Sequence, residues 1–138
     1  MPKRPLILCV DDEWNGLEGR QMLLEGSGCK VLASASGVEA LRLFASHPID
    51  LVLLDYHMPE MRGDVVAECM KASQPEIPIV LLSADDELPE SVLGSVDVFV
   101  SKSESPANLL QTVEHLLDLH LLFTALDDLI GGRQKHTA

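Results

Sequence analysis

Four apolar runs in this chain stop at residues that can do chemistry. PLILCV (residues 5–10) runs into Asp11, Asp12 and Glu13, and LVLL (51–54) runs into Asp55. IPIVLL (77–82) stops at Ser83, and VDVFV (96–100) stops at Ser101 and Lys102. Taken singly, each polar residue has an ordinary explanation as a turn residue, a helix cap or a surface charge. Taken together they form a reactive set. Three carboxylates held close repel one another and raise one another's pKa values. A hard divalent cation relieves that repulsion, and oxygen ligands with room for water suit Mg²⁺ (or Mn²⁺) better than zinc. Lys102 adds a compact positive charge and Ser83 a hydroxyl donor. A carboxylate nucleophile, a divalent cation, a lysine and a hydroxyl are what phosphoryl transfer to an aspartate requires.

Such residues, far apart in sequence, meet only if the fold brings the ends of the runs together. The run Leu51–Leu54 has no polar alternation, which suits a strand covered on both faces, as in a parallel sheet. Between the runs lie helical stretches. Residues 13–25 carry Leu17 and Leu24 on one face and stop at Gly26-Ser27-Gly28. Val38, Leu41, Phe44 and Ala45 have helical spacing up to Pro48, and Val65, Val66, Cys69 and Met70 define another stripe. KVLASA (30–35) reads as an edge strand. Residues 84–95 are acidic and interrupted by Pro89 and Gly94, so a poor helix is expected there. Ser105 and Pro106 open the last helix as N-cap and first residue. Strand and helix alternate five times, with connections long enough for crossovers. An α/β domain follows, with a parallel sheet and helices on both faces. Parallel strands share a carboxyl edge, where open α/β sheets bind ligands.

The whole-chain properties narrow the function further. The 138 residues suit one domain with a real core. A formal charge of −12 argues against nucleic acid as a partner, since that interaction relies on basic patches. No stretch approaches the ~20 apolar residues of a membrane span. The N-terminal apolar run meets carboxylates too soon for a signal peptide, so a cytoplasmic location is expected. Cys9, Cys29 and Cys69 show no metal-ligand spacing, and Cys9 and Cys69 read as reduced core thiols.

The motifs VDDE (10–13), D-x-x-M-P-x-x-x-G (55–63), Ser83-Ala84 and Lys102 resemble the response-regulator receiver domains of two-component signalling. The resemblance covers about residues 5 to 120. It implies a flavodoxin-like five-stranded sheet of order 2-1-3-4-5. It also implies Asp55 as phospho-acceptor, Asp12 as direct metal ligand and Asp11 as holder of metal-bound water, with the backbone carbonyl of His57 completing the protein ligands. Ser83 and Lys102 would contact the phosphoryl group, and small Ala84 would leave it room. Phe99 stands where the family carries an aromatic residue that swings inward when the hydroxyl residue moves. The implied donor is a sensor histidine kinase or a histidine phosphotransfer protein, and the output is a changed contact with a downstream protein. Two departures stand out: Ser103 follows Lys102 where most receivers carry a cis proline, and the fourth helix looks about one turn short.

Two other functions fit parts of the pattern. A haloacid-dehalogenase-like phosphatase also uses an aspartate with Mg²⁺, but needs an acidic residue two positions on, where this chain has His57. A receiver-like adaptor acting without phosphorylation is opposed by the intact acidic pair, Asp55, Ser83 and Lys102. The remaining histidines, His47, His115, His120 and His136, lack ligand spacing and read as surface residues. Trp14 reads either as a wall of the site mouth or as packing on the first helix, and Tyr56 as a local contact or the rim of the site.

The C-terminal region carries two apolar stripes. Leu109, Leu110, Val113, Leu116 and Leu117 form one; Leu119, Leu122, Phe123, Leu126, Leu129 and Ile130 form a second, displaced by roughly a third of a turn. Either the helix breaks near residues 118–120 and folds back, or the second stripe faces another surface. Receivers often pair through the surface that includes the last helix, so a homodimer is the favoured expectation. The division expected is a receiver over 1–120 and a helical extension with a polar tail over 121–138. That tail is too short for an output domain, which suggests a stand-alone receiver.

Overall fold

A computed structural model describes residues 3–131. Five strands, β1 (Leu6–Val10), β2 (Lys30–Ser34), β3 (Leu51–Asp55), β4 (Ile79–Ser83) and β5 (Val98–Ser101), form one parallel sheet of order β2-β1-β3-β4-β5. Helices α1 (Trp14–Gly26), α2 (Gly37–Ser46), α3 (Gly63–Ser73), α4 (Glu90–Leu93) and α5 (Pro106–Gly131) connect and cover it. The flavodoxin-like architecture and the strand order are those expected from the sequence. Strands β3 and β4 are buried at every position, which is why their sequences are unbroken apolar runs.

The sheet divides the core in two. Val10, Phe44, Val52, Leu54, Val66, Met70 and Leu81 pack on the α2–α3 side, and Ile7, Cys9, Leu17, Leu24, Leu53 and Val113 on the α1–α5 side. Each fully buried leucine or isoleucine contributes about 1.5–3 kcal/mol, so the central strands hold the molecule. Burial pushes the Cys9 thiol up to about 12, which makes it a structural, unreactive side chain.

Two helices face the sheet differently from the sequence expectation. On α2 the buried residues are Gly37, Ala40 and Phe44, while Val38 is 56% exposed and Ala45 lies outside. On α3 the buried face is Gly63, Val66, Ala67 and Met70, leaving Val65 and Cys69 exposed. Cys69 is therefore a surface thiol, whereas Cys9 and Cys29 are buried. Small residues decide these faces, because glycine and alanine let a helix approach the sheet closely. A Cβ on Gly63 would strike the carbonyl oxygen of Asp55 and lie 2.9 Å from Leu81 Cδ1.

The fourth helix is a single four-residue turn, as its Pro89 and Gly94 suggested. The last is unbroken over 26 residues. Ser105 Oγ accepts the N–H of Asn108 (3.1 Å) and caps its start, with Pro106 as first residue. Leu109, Val113 and Leu117 are buried; beyond them Leu122, Phe123, Leu126, Leu129 and Ile130 are exposed. No break occurs at residues 118–120, so the second stripe points away from the core. His120 is a correction. It follows Leu117 by three positions on the inner face, is largely covered, and sets Nε2 3.7 Å from Asp50 Oδ1. His47 and His115 are exposed as expected, and Trp14 is 64% exposed. Helix α5 includes Gly131, the first residue of the expected Gly131-Gly132 stop, while Gly132, the frayed tail and the surface reading of His136 lie outside the described residues. Among the described residues no helix is long and apolar enough to cross a membrane.

Candidate functional site

Register brings the site together. Val10 pairs with Leu54, so one step further along both strands Asp11 stands opposite Asp55. The Asp11 N–H extends the ladder by donating to Ser34 O (3.1 Å). On the other flank Asp55 pairs with Leu82, and Ser83 pairs with Ser101, which places Lys102 one step beyond. The Lys102 N–H donates to Ser83 O at 2.8 Å, locking that step. Four strand ends thus deliver their side chains to one edge.

The carboxylates of Asp11, Asp12 and Asp55 each offer an oxygen within 4.8 Å of the others. Asp11 and Asp55 are 1% and 2% exposed, while Asp12 is open to solvent. Lys102 Nζ lies 3.0 Å from Asp55 Oδ1 and 3.5 Å from Asp11 Oδ2. Apart from that ammonium, Asp55 Oδ1 is buried without a hydrogen-bond partner. Burial pushes the Asp55 carboxyl up to about 6; the Lys102 hydrogen bond pulls it down and the charge of Asp11 pushes it up again. Burial by itself would lower Lys102, but its hydrogen bond to Asp55 and the charges of Asp55 and Asp11 hold it above its ordinary value. An all-oxygen donor set, crowded and partly buried, with an oxygen left unbonded, fits a hard divalent cation. Soft or tetrahedral metals have no thiolate or imidazole donor in this cluster.

The loops around the cluster are tied down. Ser83 is fully buried and its Oγ accepts the N–H of Asp85 (3.1 Å). Next to it Ala84 is exposed, so no bulk closes that side. Tyr56 is buried, edge-on to the His57 ring at 4.7 Å, and its carbonyl receives the N–H of Gly63 (2.9 Å). Tyr56 is thus a local contact at the base of the β3–α3 loop. The segment after β5 holds its form with serines: Ser101 Oγ and Ser103 Oγ lie 2.8 Å apart, and Ser103 N–H donates to Ser101 Oγ (3.2 Å). There is no cis peptide bond among the described residues. Phe99, two residues before Ser101, is half-buried and borders a shallow depression with Asp86 and Asn108.

Two participants were not anticipated from the sequence. Arg20 reaches from the middle of α1 to form an ion pair with Asp11 Oδ2. It lies between Leu17 and Leu24 on the inner face of α1, and a charged residue inside a buried stripe was a readable signal. His57 Nε2 and Asp85 Oδ2 meet at 2.8 Å, bridging the loops after β3 and β4 across the mouth of the site. Nothing in the acidic run Asp85-Asp86-Glu87 distinguished Asp85 beforehand.

Residues 7–114 match the response regulator receiver domain. The probable transcriptional regulator ycf27 of Cyanidium caldarium is 36% identical over 115 residues, covering 80% of this chain and 45% of that protein. Response regulator SaeR of Staphylococcus aureus is 33% identical, over 80% of this chain and 50% of its own length. The sensor histidine kinase GacS of Pseudomonas protegens is 35% identical over 80% of this chain and 13% of the kinase. The chain therefore spans half or less of these curated relatives. Among solved structures, a CheY-like receiver domain protein from Methanospirillum hungatei superimposes with TM-score 0.81 at 26% identity, over 86% of this chain and 97% of that one. TrrA from Thermotoga maritima, in complex with Mg²⁺-BeF, gives TM-score 0.77 at 33% identity, over 81% and 98%. The family match across most of the chain, the strand order and the converging strand ends agree, and the chain belongs to the response regulator receiver domain family.

Proposed function

We propose that this chain accepts a phosphoryl group on Asp55 from the phosphohistidine of a sensor histidine kinase or histidine phosphotransfer protein, and signals through altered protein contacts. The observation that carries the reading is the state of Asp55: buried at the carboxyl edge, with Oδ1 lacking any hydrogen-bond donor except the Lys102 ammonium at 3.0 Å. A carboxylate oxygen of Asp55 attacks phosphorus, the phosphorus–nitrogen bond breaks, and its electron pair stays on the leaving imidazole. Asp55 remains available as nucleophile at neutral pH because its pKa, though raised, is only about 6. Lys102 follows the negative charge as it moves from the carboxylate to the phosphoryl oxygens. Asp11, Asp12, Asp55 and the His57 backbone carbonyl would hold a divalent cation, Mg²⁺ or Mn²⁺, which supplies further charge neutralisation there when bound.

The signal starts at Ser83. Its hydroxyl accepts the Asp85 N–H and still has a proton to donate to a phosphoryl oxygen. Turning toward that oxygen draws on the β4–α4 loop, and half-buried Phe99 on the neighbouring strand follows it inward. The chain acts as acceptor and not as an enzyme on other molecules, beyond cation-dependent self-phosphorylation from small donors and self-dephosphorylation. Residues 1–120 form the receiver unit, and 121–138 a C-terminal helical extension followed by a polar tail. The exposed second stripe of α5 pairs with its counterpart in another copy. Leu119, Leu122, Leu126 and Leu129 have three-four-three spacing, and covering them removes an aggregation liability.

The test is intact-mass spectrometry after incubation with acetyl phosphate and Mg²⁺. One added phosphoryl group is expected, and none in Asp55→Asn. An Asp55→Asn chain that gains the group at full yield would sink the assignment.

A further inference from the structure

The acidic edge carries a second built-in cation, and its geometry differs from that of Lys102. Arg20 is the seventh residue of α1, one turn after Gly16 on the same helix face. Side chains on a helix lean toward its N-terminus, so an arginine here lies back over residue 16. Glycine at that position leaves the path open. A Cβ on Gly16 would sit 3.3 Å from Arg20 Nη2 and 3.4 Å from Asp11 Oδ2. The guanidinium runs through this gap to the ion pair with Asp11 and keeps its side chain only 16% exposed. Asp11 is left with neither oxygen free. Oδ1 accepts the Glu13 N–H at 2.9 Å, while Oδ2 is shared by Arg20 and, at 3.5 Å, Lys102.

From this arrangement we infer that Arg20 is a resident counter-cation that competes with the divalent ion for Asp11 and so sets the concentration at which the metal loads. The inference rests on the metal reading given above. Three carboxylates facing two cationic side chains leave one net negative charge; without Arg20 they would leave two. A divalent ion entering the cluster meets a weaker field and must share or displace the guanidinium at Asp11 Oδ2. In return, the buried Asp11 carboxylate keeps a partner whenever the metal is absent, which spares the fold an uncompensated buried charge. Arg20 is therefore a positioning residue that acts on the metal through Asp11.

Calorimetric titration of the full chain with MgCl₂ at fixed ionic strength tests this, alongside thermal unfolding in EDTA. Arg20→Gln should bind Mg²⁺ roughly tenfold more tightly, since a unit charge near the ion is removed. It should also melt lower than the parent in EDTA and recover the difference when Mg²⁺ is added. Arg20→Lys keeps a charge and should fall between the two. Arg20→Gln binding Mg²⁺ no more tightly than the parent would overturn the inference. Absence of saturable Mg²⁺ binding in every chain, the parent included, would instead overturn the metal reading itself.

Discussion

The two ends of the sheet are built on opposite principles. At the carboxyl end, strand register packs three carboxylates, a lysine and an arginine into one cluster. At the other end, α5 runs past its last buried position, Leu117, carrying an apolar face that the sheet does not cover. A broad groove of about 1150 Å³ lies there between Pro48, Asp50, Gln74 and Glu76 on one side and Phe123, Leu126 and Ile130 on the other. One end concentrates charge that the fold must compensate, and the other leaves hydrophobic surface exposed. Under the proposed function, chemistry belongs to the first end and association to the second, and substitutions should separate the two.

The largest effect is expected where backbone and site touch. Gly63→Ala would drive a methyl group into the carbonyl of Asp55 and to 3.0 Å from Tyr56 Cα. Equilibrium urea unfolding should show a loss of about 3 kcal/mol or more, because neither neighbour is a flexible side-chain end. Leu129→Ala, at a position 82% exposed on the overhang, should change stability by less than about 0.5 kcal/mol when both chains are dilute enough to be unpaired. Similar losses in both would erase the contrast between the ends.

Smaller, but specific to the charged end, is a pH effect. The Asp55 pKa is raised from 3.8 to about 6, so the folded chain holds its proton more tightly than the unfolded chain does. That contribution is fully present below the unfolded pKa and is lost as pH rises through about 6. Metal-free protein should lose about 1–2 kcal/mol between pH 4 and pH 7 from this group, and Asp55→Asn should remove that component. The check is urea unfolding in EDTA across the range. Identical pH profiles for the parent chain and Asp55→Asn would refute it.

These two predictions rest on features of unequal legibility in the sequence. Asp11, Asp55, Ser83 and Lys102 were readable because each ends an apolar run, and a parallel sheet must bring such ends to one edge. The burial faces of α2 and α3 were misread by a step. Apolar periodicity weights Val38, Val65 and Cys69, whereas contact with the sheet is governed by Gly37, Ala40, Gly63 and Ala67, which score low. Absent ligand spacing, His120 reads as a surface residue, yet it is largely covered. Its position three residues after Leu117 on the inner stripe was the better guide. Asp85 meets His57 across two loops, and a contact of that kind leaves no trace in local pattern.

The smallest effect on the fold, though not on assembly, concerns the overhang. Sedimentation should find the full chain dimeric and a chain truncated after Leu119 monomeric, with stability per protomer changed by less than about 1 kcal/mol. Monomers in both cases, with the truncated chain clearly less stable, would mean that the stripe packs internally.

The most direct measurement of the central claim is beryllofluoride titration followed by amide NMR, with and without Mg²⁺. Shifts should appear only with Mg²⁺, centre on residues 55–57, 83–86 and 99–102, and vanish in Asp55→Asn. Lys102→Ala should weaken them more than it lowers the melting temperature. Full shifts without Mg²⁺, or in Asp55→Asn, would contradict the account.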